Sequence, residues 1–192
     1  MKKISLALAI ALATVTMYSC KDGDKATDPK EVASETNEKK EEANALGVSE
    51  DDAKFLEFAA DGGMTEVEAS KLAQSMGTSK QVKEFGDQMI KDHTAAGNEL
   101  KSLAATKNVT LPATVGEDHQ KAINELSNKK GADFDKAYVN MMVDDHQKTV
   151  DKFKDASENC KDADIKAFAT KTLPTLQGHL DHVKALKDGM KM

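Results

Sequence analysis

The pentapeptide Met89-Ile90-Lys91-Asp92-His93 returns 53 residues later as Met142-Val143-Asp144-Asp145-His146. A repeat of this kind, set in periodic apolar sequence, leaves the chain few folds to choose from. Phe85 stands four residues before Met89 as Tyr138 stands four before Met142, and Leu100 follows His93 by seven as Phe153 follows His146. Intervals of four and seven belong to one face of an α-helix. With Met89 at zero on a helical wheel, Val82, Phe85, His93, Ala96, Leu100 and Leu103 fall within roughly 40° of it. From Met142 the same arithmetic gathers Tyr138, His146, Thr149, Phe153 and Ala156. Each imidazole therefore faces inward, and the aspartate before it, Asp92 or Asp145, borders the stripe. Such a chain must lay two helices side by side with histidines at one depth of an apolar seam.

Helix punctuation extends the pattern over the rest of the chain, and nothing in it alternates like a strand. Ser49 with Asp52, Thr78 with Gln81, Thr114 with Glu117, and Asp133 before a periodic run read as N-caps, while Gly77 and Gly131 read as C-caps. Pro112 breaks the chain, and Pro174 lies inside the last helix, where a kink is expected. The expected helices are 50–76, 79–105, a short one at 115–129, 133–159 and 163–188. Short loops make antiparallel hairpins of the first and last pairs, whereas the second and third long helices are joined by some 27 residues that include the short helix. One long crossover in a four-helix bundle is the connection of ferritin-like folds. The expected class is thus all-α: two hairpins joined by a long crossover. The hairpins also look like duplicates, since Val82-Lys83-Glu84-Phe85-Gly86 corresponds to Ile165-Lys166-Ala167-Phe168-Ala169.

Before the domain, Met1-Lys2-Lys3 is a basic start, and Ile4 to Met17 is an uncharged, mostly apolar run of 14 residues, too short to span a bilayer. Residues 1–19 read as a signal peptide, and Ser19-Cys20 resembles the lipobox of bacterial lipoproteins, which implies acylation of Cys20 and a membrane anchor. The alternative is an ordinary cleaved signal peptide with a free Cys20. The only other cysteine is Cys160, so an exported chain has no internal disulfide. Residues 20–47 have no aromatic side chain and are dense in Lys, Glu and Asp, which predicts a flexible tether ahead of a domain at 48–192. A net charge of −6, with both signs spread over helix surfaces, argues against nucleic acid as a partner. No glycine-rich phosphate loop, CxxC pair or nucleophile elbow is present.

Two further residues join the histidines. Glu66 lies on the stripe of Phe55, Ala59, Gly62, Ala69 and Ala73, and His179 lies on that of Leu176, Val183 and Ile165. Counted from the hairpin turns, Glu66, His93, His146 and His179 fall within about 9 Å of one another along the helix axis.

Gly62-Gly63-Met64-Thr65-Glu66-Val67-Glu68, Met89 to His93, Phe134 through Tyr138 to His146, and Leu173-Pro174-Thr175-Leu176-Gln177-Gly178-His179-Leu180 together resemble the bacterial envelope family grouped as domain of unknown function 4142. The resemblance covers nearly all of 48–188 and implies a ferritin-like helical bundle in the cell envelope, lipid-anchored at the outer membrane or facing the periplasm. It implies no reaction. The Glu-x-x-His pairs of di-iron ferritins are missing, since Ile90 and Leu176 occupy those positions, which argues against ferroxidase chemistry.

The residues themselves support a transition-metal site made by Glu66, His93, His146 and His179, with Asp92 and Asp145 as outer carboxylates orienting the imidazoles. Such a set suits Zn, Cu, or mononuclear Fe or Mn, and Met89 and Met142 offer thioether help or plain core packing. In the competing reading the histidines are core groups hydrogen-bonded to Glu66, Tyr138 or Thr149, in a metal-free bundle that serves as an envelope interaction or stress-related binding module. His119 and His182 read as solvated.

Overall fold

The computed structural model describes residues 27–190. They form α1 (Pro29–Glu42), α2 (Glu50–Met76), α3 (Lys80–Thr106), α4 (Glu117–Ser127), α5 (Gly131–Asn159) and α6 (Ala163–Gly189), with no strand among the described residues. α2 pairs with α3 and α5 with α6, and α2 also packs on α5 and α3 on α6, so the four long helices surround one core. α4 lies on α2 and α5, and α1 lies on α2. No helix among the described residues is long and apolar enough to cross a membrane. The expected signal peptide and Cys20 lie outside the described residues.

The core follows the predicted stripes. Val82, Phe85, Met89, Phe134, Tyr138, Val139 and Met142 are all fully buried, so the two repeat methionines are core packing. Phe55, Phe153 and Phe168 form an aromatic chain at one end, with ring centroids 5.0 and 6.0 Å apart. α6 runs on through Pro174, which removes one backbone donor without ending the helix.

The helix ends depart from the sequence expectation in an orderly way. Ser49 caps α2 as expected, accepting from the Asp52 N–H. α3 begins after Ser79, whose side chain makes no cap bond. In its place the Asp135 carboxylate, reaching across from α5, accepts from the N–H groups of Thr78 (3.0 Å) and Ser79 (2.8 Å) and from the Thr78 hydroxyl. The arrangement is reciprocated: Asp52 of α2 accepts from the N–H groups of Lys161 (3.1 Å) and Asp162 (2.9 Å) in the α5–α6 turn. Each hairpin turn is thus capped by a buried aspartate of the other hairpin. Gly77 does end α2, and a Cβ there would stand 2.5 Å from the Ala73 carbonyl oxygen, a distance only glycine avoids. Gly131 begins α5 with φ +59° instead of closing the helix before it. Thr114 and Asp133 cap nothing, since Gly116 and Lys130 hold the N-cap positions of α4 and α5.

The tether expected at 20–47 is contradicted over much of its length. Asp28 caps α1, and α1 docks on the domain through polar groups rather than an apolar face. Asn37 is buried; it donates to Glu57 Oε1 (2.7 Å) and the Thr110 carbonyl (2.8 Å) and accepts from the Thr110 N–H (2.8 Å). Lys40 adds bonds to the Asn108 carbonyl and the Thr110 hydroxyl. The folded unit therefore starts near residue 28, some twenty residues earlier than composition suggests.

Candidate metal centre

One side chain from each long helix converges at mid-length: Glu66 from α2, His93 from α3, His146 from α5 and His179 from α6, all buried. The three imidazole centroids are 5.3 to 5.5 Å apart, with Phe85 walling one side at 6.5 Å from His146 and His179. Glu66 Oε2 lies 3.0 Å from His93 Nδ1 and Oε1 lies 3.2 Å from His146 Nδ1. These are contacts of charge, since neither carboxylate oxygen receives an aligned hydrogen bond. His146 Nδ1–H donates to the Met142 carbonyl of its own helix (3.0 Å), and His179 Nε2–H donates to Asp92 Oδ2 (3.0 Å).

Counting ring nitrogens bears on the two readings of this cluster. The Nδ1 atoms of His93 and His146 and the Nε2 of His179 have partners, whereas His93 Nε2, His146 Nε2 and His179 Nδ1 are buried with none. Hydrogen bonding fixes the proton of His146 and His179 on the engaged nitrogen, so their remaining nitrogens carry lone pairs. Buried polar atoms are nearly always paired, so three such nitrogens in one cluster mark a place for a metal ion or a buried water. One ring nitrogen of each histidine lies within 4.8 Å of the others. Three nitrogens on a tetrahedral ion at 2.0–2.1 Å stand roughly 3.4 Å apart, so an ion would require each ring to move in by about 1 Å.

The electrostatics assign charges within the cluster. Burial works to raise the Glu66 pKa, but the surrounding imidazoles, His93 first, outweigh it and bring the carboxyl down to about 2. Burial works to lower His93, yet Glu66 raises it above the ordinary histidine value. His146 is lowered by burial, and so is His179, in spite of its bond to Asp92. These effects favour an ionised Glu66 and hold a proton on His93 to higher pH than on His146 or His179.

The sequence-derived ligand set is redistributed accordingly. Each of the three histidines has a ring nitrogen without a partner, while Glu66 faces the opposite, Nδ1, side of His93 and His146. Asp92 orients an imidazole as expected, but that of His179 across the helix interface, not that of its neighbour His93. Asp145 touches no imidazole of the cluster; it is half-buried, 3.6 Å from Lys148, and burial raises its pKa. Tyr138 hydrogen-bonds Ser70 (2.8 Å) rather than a histidine. His182 is exposed, as expected, whereas His119 is half-buried and its Nδ1 lies 2.7 Å from the buried Asp61, whose other oxygen accepts from the Gly116 N–H. That pair fastens the crossover to α2. Its only sequence signal is an aspartate on an apolar face of α2.

Glu66, Asp92, His93 and His179 also border a cleft of about 500 Å³ between α2, α3, α6 and the crossover.

The profile of the family described as "Domain of unknown function (DUF4142)" matches residues 37–186. Among curated proteins none is similar in sequence. The fold is similar to that of a DUF305 fragment from Deinococcus radiodurans, with a TM-score of 0.65 at 8% identity, covering 73% of this chain and 97% of that one. It is similar also to CopM in its Cu(I)-bound form (TM-score 0.63, 13% identity, 73% and 98% covered) and its Cu(II)-bound form (0.62, 14%, 72% and 96%). At these identities the likeness concerns the fold alone.

Proposed function

The chain belongs to the DUF4142 family, and we propose that it is an envelope lipoprotein whose ferritin-like four-helix bundle binds one transition-metal ion through His93 Nε2, His146 Nε2 and His179 Nδ1. The observation that carries this reading is the set of three buried, partnerless ring nitrogens on three different helices. The arrangement behind them supports it: a carboxylate or carbonyl on the far nitrogen of each ligating imidazole fixes its tautomer and raises its basicity. Here Glu66, the Met142 carbonyl and Asp92 hold those positions.

A site of three imidazoles suits copper and zinc, and divalent copper stands highest in the general affinity order. The fold likeness to copper-bound CopM makes copper the first metal to try. When bound, the ion supplies a Lewis-acidic centre with a coordination position left over. The chain's own contribution is to offer two imidazoles on which burial disfavours a proton and a third that faces the Glu66 carboxylate. The anchor part of the proposal rests on the leader and Ser19-Cys20 alone.

Metal analysis of protein purified without chelator or affinity tag tests the reading, followed by thermal unfolding of wild type and His146→Ala with and without added copper or zinc. A ligand that binds only the folded chain at 100-fold over its Kd adds about 2.7 kcal/mol, so the wild-type midpoint rises and the variant's stays put. Wild-type midpoints unmoved by every metal would return the cluster to a metal-free core and the domain to an interaction module.

A further inference from the structure

The cleft beside the centre holds glycines that the fold does not account for. Gly62 and Gly63 sit in the middle of α2 and Gly97 in the middle of α3, where glycine is the poorest helix former after proline. Gly86 has a packing reason, since a Cβ there would come within 3.2 Å of the Ser70 carbonyl oxygen where α2 and α3 approach, whereas Gly178 in α6, away from the cleft, is as open as the cleft glycines. On Gly62 or Gly97 a Cβ would meet nothing within 4 Å, and on Gly63 only the His93 ring at 4.0 Å. All three line the cleft, so their missing side chains enlarge an open space instead of relieving a contact.

A second, independent observation says what the space faces. His93 and His179, which are 7% and 2% exposed, line its inner end, and each has a ring nitrogen without a partner. Much of the remaining wall is apolar, with Leu100, Leu111, Val115, Ile123, Phe153 and Phe168. A concave site of about 500 Å³, mostly apolar with a few convergent polar groups, has the size and lining of a small-molecule pocket.

Building on the metal reading above, we propose that this cleft binds a small apolar molecule carrying one uncharged nitrogen or sulfur donor, its body between α2 and α3 and its donor directed to the ion's open position. The donor is uncharged because Glu66 and Asp92, both at the inner end, already balance a divalent ion. An anionic head would add uncompensated charge in an apolar cleft. Of the other charged residues lining it, Glu68 is already paired with Lys71 (2.7 Å).

The probe is 4-phenylimidazole against plain imidazole, titrated into cobalt(II)-loaded protein and followed by the cobalt d–d absorption. Moving a phenyl ring from water into the cleft makes 4-phenylimidazole bind at least roughly tenfold tighter than imidazole. Gly97→Leu and, separately, Gly62→Leu fill the cleft and remove that preference. Both retain cobalt, and both unfold at or above the wild-type temperature, because leucine is the better helix former. Equal affinities for the two probes in wild type, or an unchanged preference in both variants, would overturn the proposal. If the protein takes up no cobalt, copper or zinc, the metal reading fails by itself, and equilibrium dialysis of 4-phenylimidazole against metal-free protein decides the cleft. Retention that Gly97→Leu abolishes sustains it, and no retention in wild type overturns it.

Discussion

Replacing Glu66 by Gln keeps the shape of the side chain and removes the single negative charge inside the histidine cluster. A carboxyl held at about 2 in the folded chain, against 4.5 ordinarily, makes the charged form worth about 3 kcal/mol of stability at neutral pH. Glutamine stands in for the uncharged form, so Glu66→Gln without metal loses up to about 3 kcal/mol. In a domain of this size that lowers the thermal midpoint by roughly 6 to 12 °C. The pH profile carries the same signature. Glu66 is lowered on folding, so its contribution is present above 4.5 and disappears as pH falls toward 2. His146 and His179 are also lowered, so the unfolded chain takes up their protons first and stability declines as pH drops below the ordinary 6.5. His93 is raised, so its contribution is complete below 6.5 and is lost as pH rises through its folded value. Scanning calorimetry of both proteins from pH 3 to 9 should show the variant losing the Glu66 limb and the His93 limb while keeping the decline below 6.5. Titration with copper adds a second readout, because loss of a carboxylate behind the ligands weakens metal affinity about 10- to 100-fold and does not abolish it. Superimposable pH profiles would refute the charge assignment, and complete loss of metal would make Glu66 itself a ligand.

Any proton on His93 must leave before its lone pair can be shared with an ion, so metal uptake at pH 6 should release protons and uptake should strengthen as pH rises; calorimetric titration in buffers of different ionisation enthalpy measures this, and zero release at pH 6 contradicts it. Asn37→Ala strands Glu57 and Thr110, costing on the order of 1 to 3 kcal/mol, and should speed proteolysis within α1; unchanged cleavage would mean that α1 does not hold to the domain. In Cys20→Ala the protein should move from the membrane to the soluble fraction, and membrane retention would remove the lipid anchor from the account.

The four long helices were legible because their apolar stripes repeat at helical spacing for seven turns, and the same periodicity correctly turned His93, His146 and His179 inward. What the sequence could not convey is which nitrogen of each ring remains free. That depends on the Met142 carbonyl and on Asp92 meeting His179 across 87 positions. A wheel sets the depth and direction of Glu66 but not its reach, and so does not tell that its oxygens lie against the Nδ1 side of His93 and His146. α1 escaped notice because Asn37 and Lys40 dock it through hydrogen bonds, and hydropathy patterns register only apolar burial. His119 was misjudged for a related reason: its partner Asp61 is 58 residues away and belongs to another helix.

The crossed caps of Asp52 and Asp135 bear on how the molecule comes apart. A hairpin alone leaves its turn N–H groups without their carboxylate, and it also brings an ionised aspartate with nothing to bind. Neither half is therefore a stable intermediate, and the α2–α3 and α5–α6 pairs act as each other's latch. Release of either turn strands the aspartate that held it on the facing hairpin, so each end of the molecule opens only by breaking a contact between the two hairpins. Glu66, His93, His146 and His179, one from each long helix, share that dependence: they stay together only while the two hairpins do.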